Sequence, residues 1–156
     1  MTEQAEPVTE IEVAVELAEI EVDLPRVGII MGSKSDMDVM DGAASVLRDA
    51  GVHHEVRVMS AHREPEAVAE YCKNARMRGL RVLIAGAGLS AALPGVAAAH
   101  TDLPVIGVPL SSRLSAMGGL DAILSVVQMP PGVPVASVGL DNAKNAGHLA
   151  LRILRS

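Results

Sequence analysis

Five short, mostly apolar runs alternate with five segments of helical spacing, and this alternation limits the fold more than any other feature of the chain. The runs, which we predict to be strands, are Val27–Met31, Val56–Met59, Arg81–Ala85, Pro104–Val108 and Val135–Leu140. Continuous apolar runs are typical of strands buried on both faces, and intervening helices favour parallel pairing. The sequence therefore predicts an α/β fold, a three-layer α/β/α sandwich around a five-stranded, parallel, flavodoxin-like sheet.

Helix signals separate these strands. Apolar positions at helical spacing follow Asp36 and stop at Gly51, and Pro65 suits the first turn of the next helix. The remaining predictions are a helix from Pro65 to about Arg78, an alanine-rich helix ending at Ala99, and helices over Leu120–Met129 and Asn142–Leu154.

The charge is unevenly distributed along the chain. Residues 1–25 contain eight of the 19 acidic residues and neither Lys nor Arg, so the acidic character of the chain belongs to this segment. Within it, Ile11, Val13 and Val15 alternate with other residues, which suits an edge strand as well as a tail. We expect an acidic N-terminal extension over residues 1–25, either a tail or an added edge strand, and a single α/β domain over residues 26–156.

Composition excludes several classes of function. A net charge of −6, one Tyr and no Phe or Trp argue against a nucleic-acid partner. No apolar stretch approaches the roughly 20 residues of a membrane span, and the acidic N-terminus is unlike a targeting peptide. A single cysteine excludes a disulfide framework, and no metal-ligand spacing is present. We expect a cytoplasmic protein with no membrane partner, metal or cofactor.

The first strand leads into Gly32-Ser33-Lys34-Ser35-Asp36 and then into a helix. Free backbone N–H groups and the helix dipole attract anions at such a position. Gly32 allows close backbone approach, while the hydroxyls of Ser33 and Ser35 can donate to phosphate or ribose oxygens. An ordinary turn, in which Ser and Asp cap the helix, explains the same residues.

The second strand ends at Ser60-Ala61-His62-Arg63. His62 suits proton transfer near neutral pH, and Arg63 offers a two-pronged hydrogen-bond donor for phosphate. The alternative is a solvated turn histidine.

The third strand is followed by Gly86-Ala87-Gly88, which we interpret as a turn. Small residues admit a flat ligand, although close helix–sheet packing also requires them. Because ligands of parallel sheets bind beyond the carboxyl ends of the strands, all three segments are expected at one rim, together with Gly107–Gly119 after the fourth strand.

These segments together resemble a known family. The motifs are VGIIMGSKSD at 27–36, SAHR at 60–63, AGAGLSAALPG at 85–95, PVIGVP at 104–109 and GLDAILSVVQMPPGVP at 119–134. In this order they resemble the 5-(carboxyamino)imidazole ribonucleotide mutase family, the catalytic-subunit family of phosphoribosylaminoimidazole carboxylase. The likeness extends over about residues 26–154.

The resemblance implies an activity in purine biosynthesis, in which a carboxylate moves from the exocyclic amine to C4 of the imidazole ring. It implies that His62 is catalytic and shuttles a proton, that Arg63 binds phosphate, and that Ser33 and Asp36 bind substrate. Ribonucleotide and carbon dioxide are the implied small-molecule partners, and a homo-oligomer is the implied assembly, the octamer being typical of the family. No cofactor is implied.

One departure leaves the reaction open. Ala92 stands where the mutase pattern has a His, and Leu89-Ser90 is more similar to the branch that carboxylates aminoimidazole ribonucleotide directly. Arg63 favours the mutase, since that branch typically has Lys after the His. Direct carboxylation therefore remains an alternative, and a non-catalytic nucleotide-binding module is a second one.

Overall fold

The computed structural model describes residues 14–15 and 24–156, and its centre is a sheet of parallel strands. The strands are β1 (Val27–Met31), β2 (His54–Val58), β3 (Val82–Gly88), β4 (Val105–Leu110) and β5 (Ala136–Ser137). Their order across the sheet is β2-β1-β3-β4-β5, and every neighbouring pair is parallel. This is the flavodoxin-like order, so the predicted sheet is confirmed.

Five helices of the described chain cover the two faces of this sheet. They are α1 (Met37–Asp49), α2 (Pro65–Asn74), α3 (Leu93–Ala99), α4 (Leu120–Val127) and α5 (Ala143–Arg155). Short 3₁₀ turns at Lys34–Asp36 and Ala116–Gly119 precede α1 and α4. Helices α1 and α5 pack on one face and α2, α3 and α4 on the other, which confirms the three layers.

The two cores follow from the period of a strand. In β1, Val27, Ile29 and Met31 lie in the core beneath α1 and α5, whereas Ile30 lies in the opposite core. Successive strand residues point to opposite faces, so a strand buried on both sides must be apolar throughout. Both cores are built from aliphatic side chains, Met and one buried cysteine, Cys72.

The single tyrosine ties helix α2 to the edge strand β2. The Tyr71 hydroxyl donates to Glu55 at 2.8 Å, and the Arg78 guanidinium lies 5.1 Å from the centre of the Tyr71 ring. Burial of Glu55 would raise its pKa, but hydrogen bonds from Tyr71 and Arg78 outweigh burial and hold the pKa below its ordinary value. Glu55 thus favours folding above its unfolded-state pKa, and this contribution disappears as pH falls through the lower folded-state value.

Strands β2 to β5 differ from their predicted limits, and β3 and β5 differ most. The interpretation of Gly86–Gly88 as a turn is wrong, because β3 continues through these residues and pairs them with Val108–Leu110 of β4. Strand β5, predicted over Val135–Leu140, is only two residues long, and a turn from Gly139 to Asn142 that contains the left-handed Asp141, at φ 57°, leads from it to α5.

Helix ends differ by a few residues. Helix α2 stops at Asn74 rather than Arg78, and turns lead from there to Gly79 at φ 93°. Helix α4 ends at Val127, where Gln128 adopts a non-helical ψ of 69° before the Pro130-Pro131 pair. The residue directly before a proline is biased away from the helical region, which disfavours a helix that continues to its predicted end at Met129.

The N-terminal extension predicted over residues 1–25, including the possible edge strand, lies outside the described residues apart from positions 14–15 and 24–25. Among the helices that the structure describes, none is long and apolar enough to cross a membrane.

Candidate active site

A cleft of about 490 Å³ opens at the carboxyl ends of the central strands. It lies beside β1 and β3, where the strand order reverses and where open α/β sheets bind their ligands. Ten of the eleven predicted site residues line it: Gly32, Ser33, Ser35, Asp36, Ser60, Ala61, His62, Arg63, Ala87 and Gly88. These ten residues come from three segments that are distant in the sequence.

The first segment is the turn between β1 and α1, and its own hydrogen bonds fix its shape. The Ser33 backbone N–H donates to Asp36 Oδ2 at 3.1 Å, and Ser33 Oγ accepts from the Ser35 backbone N–H at 3.3 Å. These bonds form a capping box, in which each side chain satisfies a backbone donor that the helix leaves free. The capping that the sequence offered as an alternative to ligand binding is therefore present.

Asp36 is partly buried at the wall of the cleft. Burial raises the pKa of Asp36 above its ordinary value, although the Ser33 N–H and the Arg63 guanidinium act in the opposite direction. Because the folded-state pKa exceeds the unfolded one, the benefit to folding is complete at low pH and is lost as pH rises through the folded-state pKa. A donor group from a ligand would favour the ionised form of this carboxylate.

The second segment follows β2 and lies against the first. Ser60 is buried, and its hydroxyl accepts from the Arg63 backbone N–H at 3.3 Å. The Arg63 guanidinium donates to the Gly32 carbonyl at 2.8 Å and so connects the two segments. His62 is an exposed residue of the cleft lining, beside this connection. The segment places a proton-transfer group and a cation at the same wall.

The third segment is the end of β3. Ala87 and Gly88 line the cleft, and a Cβ atom at Gly88 would approach the Leu110 carbonyl oxygen to 3.0 Å. Gly86 is the predicted site residue that the structure does not place in the cleft, since it is buried beneath the Met40 side chain. Leu89 follows with a left-handed backbone at φ 57°, which costs energy in a residue other than glycine.

Six further residues line the cleft that were not among the predicted site residues: Leu89, Ser90, Ala92, Leu93, Ser111 and Ser112. The two serines follow β4 and belong to the segment Gly107–Gly119, which the sequence places at this rim, although it does not identify them as site residues. Strand β4 ends at Leu110 and contains Pro109, a residue that is uncommon inside strands. The predicted end of this strand at Val108 is therefore two residues early.

The described part of the chain contains no group of three or more His, Cys, Asp or Glu side chains placed to hold a metal ion. The polar groups of the cleft are instead serine hydroxyls, one carboxylate, one imidazole and one guanidinium. Fold and site together define a doubly wound α/β protein with a switch-point cleft suited to a small anionic ligand.

The chain belongs to the AIR carboxylase family, whose model matches residues 26–156. It is 59% identical to the N5-carboxyaminoimidazole ribonucleotide mutase of Pyrococcus abyssi, over 86% of this chain and 76% of that protein. It is 56% identical to the mutase of Thermotoga maritima, over 84% of this chain and 75% of that protein. The solved structure of Treponema denticola PurE matches with a TM-score of 0.74 at 35% identity, covering 84% of this chain and 80% of that one.

Proposed function

We propose that this chain is an isomerase of purine biosynthesis, an N5-carboxyaminoimidazole ribonucleotide mutase. The observation that carries the proposal is the meeting of Ser33, Asp36, His62 and Arg63 at one cleft. The names of relatives that are more than half identical to the chain support the same activity. The substrate is a ribonucleotide, whose phosphate needs a cation and whose ribose needs hydrogen-bonding groups.

The reaction requires two proton movements that balance. The N–C bond of the carbamate breaks, releasing carbon dioxide, and the exocyclic nitrogen gains a proton. C4 then attacks the carbon dioxide, and the ring loses the C4 proton as it becomes aromatic again. In our proposal His62 delivers the first proton and removes the second, so that one imidazole ends each cycle unchanged.

The remaining residues of the cleft position the substrate. Arg63 and the free N–H groups after Gly32 hold the phosphate, and Asp36 accepts from a ribose hydroxyl. Ala87, Gly88 and Ala92 form an apolar wall against which carbon dioxide stays close to C4. No metal or cofactor takes part in this scheme.

A comparison of two substrates tests this function. The purified chain receives either the carbamate N5-carboxyaminoimidazole ribonucleotide or aminoimidazole ribonucleotide with bicarbonate, and kcat/KM is measured for each. A mutase prefers the carbamate. Higher kcat/KM with aminoimidazole ribonucleotide would establish the direct carboxylase, an alternative that Ala92 in the cleft lining favours.

Replacement of Arg63 by Ala tests phosphate binding. Loss of a charged hydrogen bond costs about 1.5–3 kcal/mol, so we expect KM for the carbamate to rise about 10- to 100-fold, with a smaller change in kcat. Arg76→Ala is the matched control, because Arg76 makes an exposed ion pair with Asp102 outside the cleft. An unchanged KM in the Arg63 variant would remove Arg63 from the phosphate site.

We also propose that the chain forms a homo-oligomer, and the resemblance to the family favours an octamer. Leu120, Leu124 and Val127 form one exposed apolar stripe along α4, and Met117 precedes it with 84% of its surface exposed. Apolar patches of this kind commonly become interfaces between subunits. Sedimentation velocity should show an oligomer that Leu124→Lys shifts to smaller species, and a monomeric parent chain would contradict the proposal.

The same activity favours the cytoplasm, since its substrate is a charged phosphate ester that does not cross membranes unaided. Cell fractionation should then recover the carbamate-converting activity in the cytosolic fraction, and recovery elsewhere would refute this location.

A further inference from the structure

Ser111 and Asp141 form a hydrogen-bonded pair that the proposed reaction does not use. The Ser111 backbone N–H donates to Asp141 Oδ1 at 2.8 Å, and the Ser111 hydroxyl donates to Asp141 Oδ2. Ser111 lines the cleft beyond the end of β4, whereas Asp141 lies in the connection between β5 and α5. One carboxylate therefore holds both donors of a cleft residue.

Asp141 is itself held in place by its backbone. Its N–H donates to the Pro109 carbonyl at 2.9 Å, and its φ of 57° is in the left-handed region. Such a conformation costs about 1–3 kcal/mol and persists only where the surroundings impose it. Asp141 thus binds β4 through its backbone N–H, and its side chain binds Ser111. These bonds fix the wall of the cleft at Ser111.

The hydrogen bond to Asp141 determines whether the Ser111 hydroxyl can donate to a ligand or only accept from it. A hydroxyl has one proton and two acceptor lone pairs, and an ionised carboxylate has no proton to give. Because the Ser111 proton is directed to Asp141, the hydroxyl presents only acceptor capacity to the cleft. A ligand group that meets it must be a hydrogen-bond donor.

We propose that Asp141 is a positioning residue that sets Ser111 as an acceptor for an N–H or O–H donor of the substrate. This inference rests on the proposed function, because the ribonucleotide supplies such donors in its exocyclic nitrogen and its ribose hydroxyls. Ser111 then contributes to specificity, and Asp141 acts through it without touching the substrate.

Three variants form a double-mutant cycle: Ser111→Ala, Asp141→Asn and the two combined. The side-chain amide that Asp141→Asn introduces can donate to Ser111 Oγ, so the Ser111 proton is free to point into the cleft. A hydroxyl in that orientation no longer accepts well from an N–H or O–H donor of the substrate. We expect each single substitution to raise KM for the carbamate about 5- to 10-fold, equivalent to one neutral hydrogen bond, with kcat changed less than about twofold. The combined variant should show no further increase, because Asp141 acts only through Ser111.

Asp121→Asn is the matched control. Residues 111–119 connect β4 to α4, and Ser111 lies at the start of this connection. At its other end Asp121 accepts from the Ala116 backbone N–H at 3.0 Å, and Asp121 does not line the cleft. This variant should retain the KM of the parent. Independent, multiplicative effects of the Ser111 and Asp141 substitutions, or an equal rise of KM in Asp121→Asn, would overturn the inference.

Isothermal calorimetry with aminoimidazole ribonucleotide separates this inference from the proposed function. If the parent turns over no carbamate, the proposed function fails. The double-mutant cycle is then repeated with the dissociation constant of this ribonucleotide as the measured quantity. A parent that binds no ribonucleotide refutes both proposals. A parent that turns over carbamate, together with an Asp141→Asn variant of unchanged KM, refutes only the role of Asp141.

Discussion

The His62→Asn variant should lose about 100- to 10,000-fold in kcat for carbamate conversion, the range typical of a general acid–base group. Asn is polar and similar in size to part of the imidazole, but it cannot take up and release a proton near neutral pH. His62 is exposed at the cleft wall, so the substitution leaves both cores intact. Steady-state kinetics with the carbamate measures the loss, and calorimetry should show that ribonucleotide binding remains.

His148→Asn is the control for this substitution. His148 is an exposed residue of helix α5 and does not line the cleft, so its variant should match the parent in kcat and KM. Full turnover by His62→Asn with normal substrate binding would exclude His62 as the proton carrier. A parent chain that binds ribonucleotide but converts none would instead support the alternative of a non-catalytic module.

The fold was predictable because burial on both faces leaves a strong signal. Val27–Met31 is apolar throughout and has the same limits in the sequence prediction and in the structure. The edge strands carry a weaker signal, since β2 is partly exposed and β5 is only two residues long. Their limits depend on backbone geometry, such as the left-handed Asp141, that no hydrophobic period encodes.

The candidate site was predictable where chemistry and position coincide. Ser33, His62 and Arg63 follow strand ends directly, so the topology alone brings them to one rim. The Ser111–Asp141 pair could not be inferred, because its members are 30 positions apart and meet only through the packing of β4 against β5. Gly86 is a predicted site residue that lies outside the cleft. Glycine at this position allows close packing against Met40, and the sequence alone does not distinguish this from close approach of a ligand.

The largest expected effect on stability comes from Gly107→Ala in the middle of β4. A Cβ atom there would overlap Val126 Cγ1, lie 2.9 Å from Val135 Cγ1 and lie 3.2 Å from Pro94 Cβ. Valine is restricted at χ1, above all in a helix such as α4, and proline is rigid, so the neighbours cannot turn aside without moving the backbone. Overpacking of this kind costs about 1–3 kcal/mol, which urea denaturation should reveal as a lower midpoint with an unchanged m-value.

Two further alanine variants separate overpacking from the general effect of replacing glycine. At Gly139 the nearest atom to a new Cβ is Asn142 Cβ at 3.8 Å, an ordinary contact, so Gly139→Ala should leave the midpoint almost unchanged. At Gly86 the obstacle is the end of the flexible Met40 side chain, which can adopt another rotamer, so Gly86→Ala should cost less than Gly107→Ala. Equal midpoints for all three variants would mean that helix α4 does not press on β4 as closely as Val126 and Gly107 indicate.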